Sequence, residues 1–492
     1  MYSSMKDVLN SLKGVCEVTS KGVKVLDKDR MRQGTIDALV YNSVFNEDHN
    51  IHDACTWIIW ESAFDMGIAP SSIQELYEAR GQGKCKGFTV PAMNIRGMTY
   101  DTGRAVIRSV LKNNVGPFIL EIARSEMGYT EQRPKEYTTV LLAAAVKEGY
   151  TGPMFIQGDH FQFPTKKFKE NPEKETKAIK DLTLEAIEGG FYNIDIDSST
   201  LVDLEKPSIS EQQYLNYKMA AEITAFIRQN EPKGVAISVG GEIGEVGTKN
   251  STPEDLRAFM DGYNETLKKL NSSAKGLSKI SIQTGTSHGG VVLPDGTIAK
   301  VKLDFDTLKN LSELSRREYG MSGAVQHGAS TLPADAFNRF PETETAEVHL
   351  ATEFQNMIYD NSAFPKALKD EIYKYLHEAC ADEMKPGMTE EQFIYKARKK
   401  GLGKFKKQMW DMPVSSRESI SKALEDKFSF LFNKLSVVNT KKLVEQFVQL
   451  VKVSKPIPES LQSALAGKDV EAAKMGKKSA AEAGYHSDEI GE

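Results

Sequence analysis

Four hydrophobic runs each end in a side chain that can bind a metal ion, followed by glycine or a turn. The candidate ligands are His160 in FIQGDH, Glu242 in VAISVGGEIG, His288 in ISIQTGTSHGG and His327 in AVQHGAS. Three of the chain's 8 histidines therefore occupy equivalent points of separate runs. This pattern predicts one metal site assembled from distant parts of the sequence.

The ligand types limit the chemistry of such a site. Imidazole and carboxylate ligands suit zinc and its neighbours, and a catalytic site keeps one position open for substrate. A metal of this kind polarises a ketone or stabilises an enediolate, which favours carbon–carbon cleavage, isomerisation or epimerisation. Asp159 is a candidate proton donor, although it could equally orient a ligand or cap a helix. Glu245 is a candidate general base, with a solvated loop charge as the alternative.

Small residues follow the last two candidate histidines: Gly289 after one, Gly328 and Ser330 after the other. Their backbone N–H groups and the serine hydroxyl can bind a phosphate, and an ordinary glycine turn is the alternative. Asp197, at the end of YNIDID, is predicted to orient a ligand or hold a cation. Asn94, at the end of FTVPAMNI, is predicted to face the same site.

Eight β-rich runs, separated by segments long enough for crossover helices, must position these side chains. The runs are FTVPAMNI, PFILEIA, PMFIQGD, YNIDID, VAISVGGEI, KISIQTGT, GAVQHGA and AEVHLAT. We expect an α/β fold, a (β/α)8 TIM barrel, because such a barrel brings the carboxyl ends of its strands to one rim. A doubly wound open sheet is the rival, but it would spread the ligands along a line.

The remaining sequence predicts extensions around the barrel. We expect a helical N-terminal extension over 1–86, the barrel over 87–362, a helical C-terminal extension over 363–465 and a flexible tail over 466–492. The aromatic segment 51–66 needs a surface to cover it, either on the barrel or at an interface.

Composition excludes several classes of protein. A net charge of −5 gives no basic footprint for nucleic acid. The 4 cysteines are far apart, which argues against a zinc knuckle or a disulfide framework. Neither a secretory signal nor a membrane-spanning run is visible, so no membrane partner and a cytoplasmic location are expected.

From about residue 88 to 360, the chain resembles the class II, metal-dependent fructose-bisphosphate aldolase family, which includes tagatose-bisphosphate aldolases. The motifs that carry the resemblance appear in the family's order: VPAMN, GDH, IDIDSS, GGEIG, QTGTSHGG, AVQHGAS and EVHLATE. The resemblance implies reversible aldol cleavage of a ketose bisphosphate, fructose 1,6-bisphosphate above all. The products would be dihydroxyacetone phosphate and glyceraldehyde 3-phosphate, formed through a zinc-stabilised enediolate rather than a lysine Schiff base.

Individual roles follow from the same resemblance. It implies that His160, His288 and His327 bind one catalytic Zn²⁺, with Glu242 as the fourth ligand and Asp159 as the acid that protonates the aldehyde oxygen. It further implies phosphate binding by Gly289, Gly328 and Ser330, and supporting polar positions at Asn94 and Asp197. A homo-oligomer is also implied.

The chain departs from the family pattern at three places. His349 stands where the family commonly has asparagine, so the contact with the triose is open. The loop after Glu242 is short, which leaves Glu245 or another group to abstract the proton. The terminal extensions lie outside the resemblance, and Arg417 in PVSSRESI is a candidate phosphate partner. Two alternatives stay open: a metal-dependent sugar or uronate epimerase on the same barrel, and a non-catalytic aldolase-like subunit.

Overall fold

The computed structural model describes residues 1–244, 249–285 and 303–467. The chain divides into two compact units. The larger unit covers Ile68 to Lys452, and the smaller one combines Met1–Gly67 with a segment that begins at Val453.

The smaller unit contains a two-stranded antiparallel sheet as well as helices. Strand β1 (Cys16–Thr19) pairs with β2 (Gly22–Val25), a hairpin not predicted from the sequence of this mainly helical region. Its helices and helical turns are Met5–Ser11, Lys28–Arg30, Met31–Thr35, Ile36–Phe45 and His49–Asp65. The strands are only four residues long, which explains why they give little hydrophobic signal.

The aromatic helix His49–Asp65 is covered by the chain itself. The indole N–H groups of Trp57 and Trp60 donate to the backbone carbonyls of Lys455 and Val453, each at 3.1 Å. The Lys455 ammonium also lies 4.4 Å from the centre of a Trp60 ring. The surface that this helix needs is thus supplied within its own unit.

The larger unit is built on a closed parallel barrel. Strand β3 (Ile68–Ser71) precedes the ring. The strands of the ring are β4 (Val90–Asn94), β5 (Ile119–Ala123), β6 (Gly152–Gln162), β7 (Asn193–Asp197), β8 (Ser238–Glu242), β9 (Lys279–Ser281), β10 (Ala324–Gln326) and β11 (Glu347–Leu350). Neighbours pair in sequence order, and β11 pairs with β4 to close the ring. All eight predicted strands and the (β/α)8 fold are confirmed. An open sheet is excluded by the β11–β4 pairing.

Strand β3 joins the sheet from outside the ring. It pairs in parallel with the first residues of β6, Gly152–Phe155. Asn193 fixes this strand, because its side chain donates to the Ser71 carbonyl at 3.1 Å and accepts from the Ile73 N–H at 2.9 Å. The region before residue 86 therefore contributes directly to the sheet.

Helices surround the barrel. Before β9 they are Gln74–Gly81, Thr99–Asn113, Arg124–Tyr129, Pro134–Glu148, Thr165–Glu170, Pro172–Gly189, Ile209–Asn230 and Pro253–Leu270. After β9 they are Phe305–Tyr319, Arg339–Glu342, Thr352–Tyr359, Lys366–Ala379, Glu390–Ala397, Gly401–Lys404, Lys406–Trp410, Val414–Lys434 and Lys441–Phe447. Local sequence sets several of their ends: Ser208 and Thr252 form capping boxes, and Gly149 and Gly190 adopt the left-handed conformation after the last turn.

The C-terminal helix Val414–Lys434 belongs to the barrel unit. It packs on Thr99–Asn113, where Arg108 Nε lies 2.8 Å from Glu425 Oε2 and the hydroxyls of Ser109 and Ser429 lie 2.8 Å apart. The predicted limits 1–86, 87–362, 363–465 and 466–492 remain predictions about folding domains. None of the helices in the described ranges is long and apolar enough to span a membrane.

Candidate active site

A local irregularity in β6 places Asp159 and His160 in the same site. Successive side chains of a regular strand point to opposite faces. In β6 the pairing with β7 shifts between Gly158 and Phe161, and His160 has a φ of 44°. This conformation costs a residue other than glycine of order 1–3 kcal/mol. It brings Asp159 Oδ1 to 3.6 Å from His160 Nε2.

Three of the four predicted metal ligands converge at the carboxyl end of the barrel. Donor atoms of His160, Glu242 and His327 all lie within 4.8 Å of one another. His327 Nδ1 is 2.7 Å from His160 Nε2, and Glu242 Oε1 is 2.8 Å from His160 Nδ1. Predicted ligand His288 lies outside the described residues. Two imidazoles and a carboxylate at this spacing fit a divalent transition metal.

Asp197 supports this group from the end of β7. Its Oδ2 is 3.1 Å from His160 Nδ1 and accepts a hydrogen bond from Gln162 Nε2 at 2.6 Å. Burial alone would raise the pKa of Asp197, but the hydrogen bonds from His160, Ser199 and Gln162 outweigh it and hold the pKa below its ordinary value. Asp197 therefore stays anionic and is placed to orient the His160 ring.

Burial and neighbouring charge also shift the pKa values of the proposed ligands themselves. Burial, together with the charge of Asp197, raises the pKa of Glu242 to about 7. Burial opposes protonation of His160, but the nearby carboxylates of Asp159 and Glu242 prevail and raise its pKa well above the ordinary value. The two imidazoles are thus surrounded by an excess of negative charge. Such an environment favours a bound cation.

A cavity of about 550 Å³ opens over this group. Seven of the predicted site residues line it: Asn94, Asp159, His160, His327, Gly328, Ser330 and His349. Gly328 has a φ of 68°, and Ser330 Oγ accepts from the Ala351 N–H at 2.7 Å. The structure therefore brings candidate acid, ligands and phosphate-binding residues to one opening.

The other predicted residues are placed differently. Arg417 does not line this cavity, and its Nη1 lies 3.2 Å from Asp101 Oδ1. Burial raises the pKa of Asp101, and Arg417 partly counteracts this. Glu245 and Gly289 lie outside the described residues. Their proposed roles, and that of Arg417, stay predictions.

A buried polar network beneath the cavity was not predicted from the sequence. The Lys279 ammonium donates to Gln157 Oε1 at 2.8 Å, to Asp195 Oδ2 at 2.9 Å and to Glu347. Gln157 in turn donates to Glu121 and to Glu347, each at 2.9 Å. All five side chains are buried. The sequence feature that could have indicated these residues is a charged or amide residue inside an otherwise apolar strand, as in PFILEIA and AEVHLAT.

Lys279 is unsuited to Schiff-base chemistry. Burial would lower its pKa, but the carboxylates of Asp195 and Glu347 outweigh burial and raise it. A lysine nucleophile needs the opposite shift. The Lys279 ammonium therefore stays charged and forms ion pairs with Asp195 and Glu347 inside the barrel.

Four cations at the same cavity were also missed: Arg96, Arg124, Lys167 and Lys399. Arg96, whose side chain is 10% exposed, is paired with Glu126 at 3.0 Å, and Arg124 is paired with Glu175 at 2.6 Å. Lys399 lies beside the Tyr129 ring, 5.7 Å from its centre. Positive side chains scattered through the sequence give no motif, yet around one opening they favour an anionic substrate.

Comparison with known proteins identifies the family of this chain. The family model for class II fructose-bisphosphate aldolase matches residues 75–406. No curated protein matches the sequence. Among solved structures, the YdjI aldolase from Escherichia coli K12 is 13% identical, covers 75% of this chain and 98% of its own, and has a TM-score of 0.46. The fructose-bisphosphate aldolase from Campylobacter jejuni is 17% identical, covers 76% and 97%, and has a TM-score of 0.46.

At these identities and TM-scores, the structural likenesses add nothing to the assignment, which rests on the family model. That model spans the barrel and all the predicted site residues except Arg417. The chain belongs to the class II fructose-bisphosphate aldolase family and is an aldolase, a lyase.

Proposed function

We propose that this protein cleaves a ketose bisphosphate, most specifically fructose 1,6-bisphosphate, into dihydroxyacetone phosphate and glyceraldehyde 3-phosphate, and that its metal is Zn²⁺. The family is metal-dependent, and the single observation that carries the proposal is the convergence of His160, Glu242 and His327, two of which line a cation-lined cavity together with Asp159.

The proposed ligands are His160, Glu242 and His327, with His288 as the fourth. When bound, the metal supplies Lewis acidity that stabilises negative charge on the substrate ketone oxygen. The remaining work falls to this chain's side chains. The same residues act in both directions, because aldol cleavage is reversible.

In cleavage, Asp159 accepts the proton of the substrate hydroxyl on the aldehyde side. The bond between carbons 3 and 4 then breaks, the aldehyde carbonyl forms, and the bonding electrons pass to carbon 3. Protonation of that carbon yields dihydroxyacetone phosphate, and Glu245 is the proposed donor. In the reverse direction Asp159 returns its proton to the aldehyde oxygen.

Other residues are proposed to bind and orient the substrate. Gly328 and Ser330, with Gly289, are proposed to hold one phosphate through backbone N–H groups and a hydroxyl. Asn94 and Asp197 are proposed as supporting polar groups, and His349 as a substrate contact. Arg417, a homo-oligomeric state and a cytoplasmic location stay predictions.

The test is release of triose phosphate from fructose 1,6-bisphosphate, followed by a coupled reductase that oxidises NADH. We expect activity in the zinc-loaded full chain, loss with chelator and recovery on adding Zn²⁺. His160→Ala should abolish activity, whereas His377→Ala, at an exposed histidine paired with Glu390, should not. Absence of triose phosphate at every metal loading would refute the substrate assignment, and a sugar epimer formed instead would favour the epimerase.

A further inference from the structure

The basic segment 396–407 delivers one of its cations to the active-site cavity. The segment contains 7 basic residues. Four of them form ion pairs: Arg398 with Asp360, Lys400 with Glu383, Lys406 with Glu136 and Lys407 with Asp411. Two more, Lys396 and Lys404, are exposed. Only Lys399 lines the cavity, and it forms no ion pair with any residue that the structure describes.

Close packing holds Lys399 in this place. Gly403 faces the Tyr129 carbonyl so closely that a β-carbon at this position would lie 2.5 Å from the oxygen. Lys406 donates to the Glu131 carbonyl at 2.7 Å. The ammonium of Lys399 lies 5.7 Å from the centre of the Tyr129 ring. The position of Lys399 at the cavity is therefore set by the packing of its own segment on the barrel.

The charges around Lys399 leave it poorly balanced. The neighbouring cation Arg96 pairs with Glu126 at 3.0 Å. Glu126 also accepts from the Asn94 side chain and, at 2.9 Å, from the Ala123 N–H, so this carboxylate is already shared. Partial burial lowers the pKa of Lys399, Arg96 adds to the shift, and nearby carboxylates oppose it only in part. Two cations that share one carboxylate favour the binding of an anion.

The other cations of the cavity are less available to a substrate. Arg124 Nη1 lies 2.6 Å from Glu175 Oε1 and donates to the Gln162 carbonyl at 2.6 Å. Lys167 is exposed, so water already solvates its charge. Lys399 is half-buried, and a charge removed from water gains most from a partner of opposite sign.

The position of Lys399 on the rim differs from that of the proposed phosphate-binding residues Gly328 and Ser330. Those residues follow β10, whereas Arg96 follows β4 and Tyr129 lies in the helix after β5. Strand β11 separates β10 from β4, which puts the ends of these two strands about 10 Å apart along the ring. A substrate with a phosphate at each end of its carbon chain needs two separated anion sites of this kind.

We propose that Lys399 is a specificity-determining residue whose ammonium binds the phosphate on the aldehyde side of the substrate. This inference rests on the proposed function and names the group that distinguishes a ketose bisphosphate from a ketose 1-phosphate. Lysine binds phosphate as a compact positive charge. With a 1-phosphate in the cavity, Lys399 stays without its anion, and this difference gives the selectivity.

The decisive experiment compares fructose 1,6-bisphosphate with fructose 1-phosphate in the full-length, zinc-loaded protein. Both release dihydroxyacetone phosphate, which the NADH-linked reductase detects. Lys399→Met keeps an aliphatic side chain beside Tyr129 but removes the charge. Its kcat/KM for the bisphosphate should fall by about 10–100-fold, mainly through KM, because one charged hydrogen bond to the substrate is lost. The ratio of kcat/KM for the bisphosphate to that for the 1-phosphate should fall at least about tenfold.

Two further variants control the comparison. Lys399→Arg keeps the charge and should retain most of the selectivity for the bisphosphate. Lys404→Met removes an exposed lysine of the same segment and should leave both kcat/KM values unchanged. Should Lys399→Met not fold, Lys399→Gln repeats the comparison with a polar side chain.

The possible failures are distinguishable. An unchanged ratio in the Lys399 variants, whether through equal losses on both substrates or no loss on either, overturns the inference, because a purely structural role would affect both substrates alike. If the wild type cleaves fructose 1,6-bisphosphate in that case, the proposed function stands. A wild type that cleaves neither substrate refutes the proposed function and the role of Lys399 together.

Discussion

Asp197 Oδ2 lies 3.1 Å from Nδ1 of His160, whereas Nε2 of the same ring faces His327 at 2.7 Å. The carboxylate thus holds one edge of the imidazole and leaves the other edge directed at a second proposed ligand. A carboxylate in this position fixes the orientation of a metal-binding histidine and increases its basicity.

Replacing that carboxylate should weaken metal binding without removing a ligand. For Asp197→Asn we expect a loss of about 10–100-fold in zinc affinity, measured by competition with a chromophoric chelator. Asp426→Asn, at an exposed surface pair, is the control. Unchanged affinity in Asp197→Asn would mean that His160 needs no such support.

Asp159 is expected to act in proton transfer rather than in retaining the ion. Asp159→Asn should lower kcat by about 10²–10⁴-fold, because the amide cannot accept the substrate proton. Zinc content should stay at the wild-type level, since His160, Glu242 and His327 are intact. Steady-state kinetics and metal analysis on the same preparation check both statements, with Asp181→Asn as the surface control. A variant that keeps wild-type kcat would contradict the assigned role.

Lys279 should be essential to stability because it neutralises carboxylates inside the barrel. Lys279→Met leaves Asp195 and Glu347 buried without their cation, which should cost about 3–5 kcal/mol in the free energy of unfolding. Lys275→Met breaks a pair of similar length, 2.8 Å to Glu78 Oε1, but at the surface, and should cost at most about 1 kcal/mol. Urea unfolding of the two variants tests the contrast. Equal costs would show that the interior network is not needed for stability.

Asp101 should make stability depend on pH. Burial, the largest influence, raises its pKa above the ordinary 3.8, although Arg417 and Arg104 oppose the shift. A raised pKa in the folded state means that the folded protein binds this proton more tightly than the unfolded chain. The contribution of Asp101 to the stability of the folded protein is therefore fully present below pH 3.8. It is lost as the pH rises through the pKa of Asp101 in the folded state.

A side-chain amide does not titrate in this range, so Asp101→Asn removes this dependence. We compare the free energies of unfolding of the wild type and of Asp101→Asn from the lowest pH at which both proteins fold up to neutral pH. The wild-type value minus the variant value should fall as the pH rises over this range. Urea titrations across that range measure it. A difference that increases with pH would show that the arginines dominate over burial.

The sequence predicted the barrel well because each strand is a short apolar run followed by glycine or a turn. In a closed ring the carboxyl ends of all strands share one rim, so the sequence alone predicts that His160, Glu242 and His327 lie together. The same logic located Asp197 and Ser330. It did not require knowledge of side-chain packing.

Other features depend on three-dimensional contacts that leave little local trace. The hairpin β1–β2 is short. The irregularity at His160 involves a histidine at positive φ, which no sequence rule marks. The partners of Glu121 and Lys279 come from strands far apart in the chain. Arg417 lies outside the family resemblance, and its position beside Asp101 became evident only from the packing of Val414–Lys434 on Thr99–Asn113.

Strand β3 shows that the family segment is smaller than the unit that must fold. The match begins at residue 75, whereas Ile68–Ser71 already pairs with Gly152–Phe155 of β6. A recombinant fragment cut at the family limits would leave amides and carbonyls of β6 unpaired. It would also deprive the Asn193 side chain of two of its three backbone partners, Ser71 and Ile73. Fragments intended for crystallography should therefore start before residue 68 and extend past the helix that ends at Lys434.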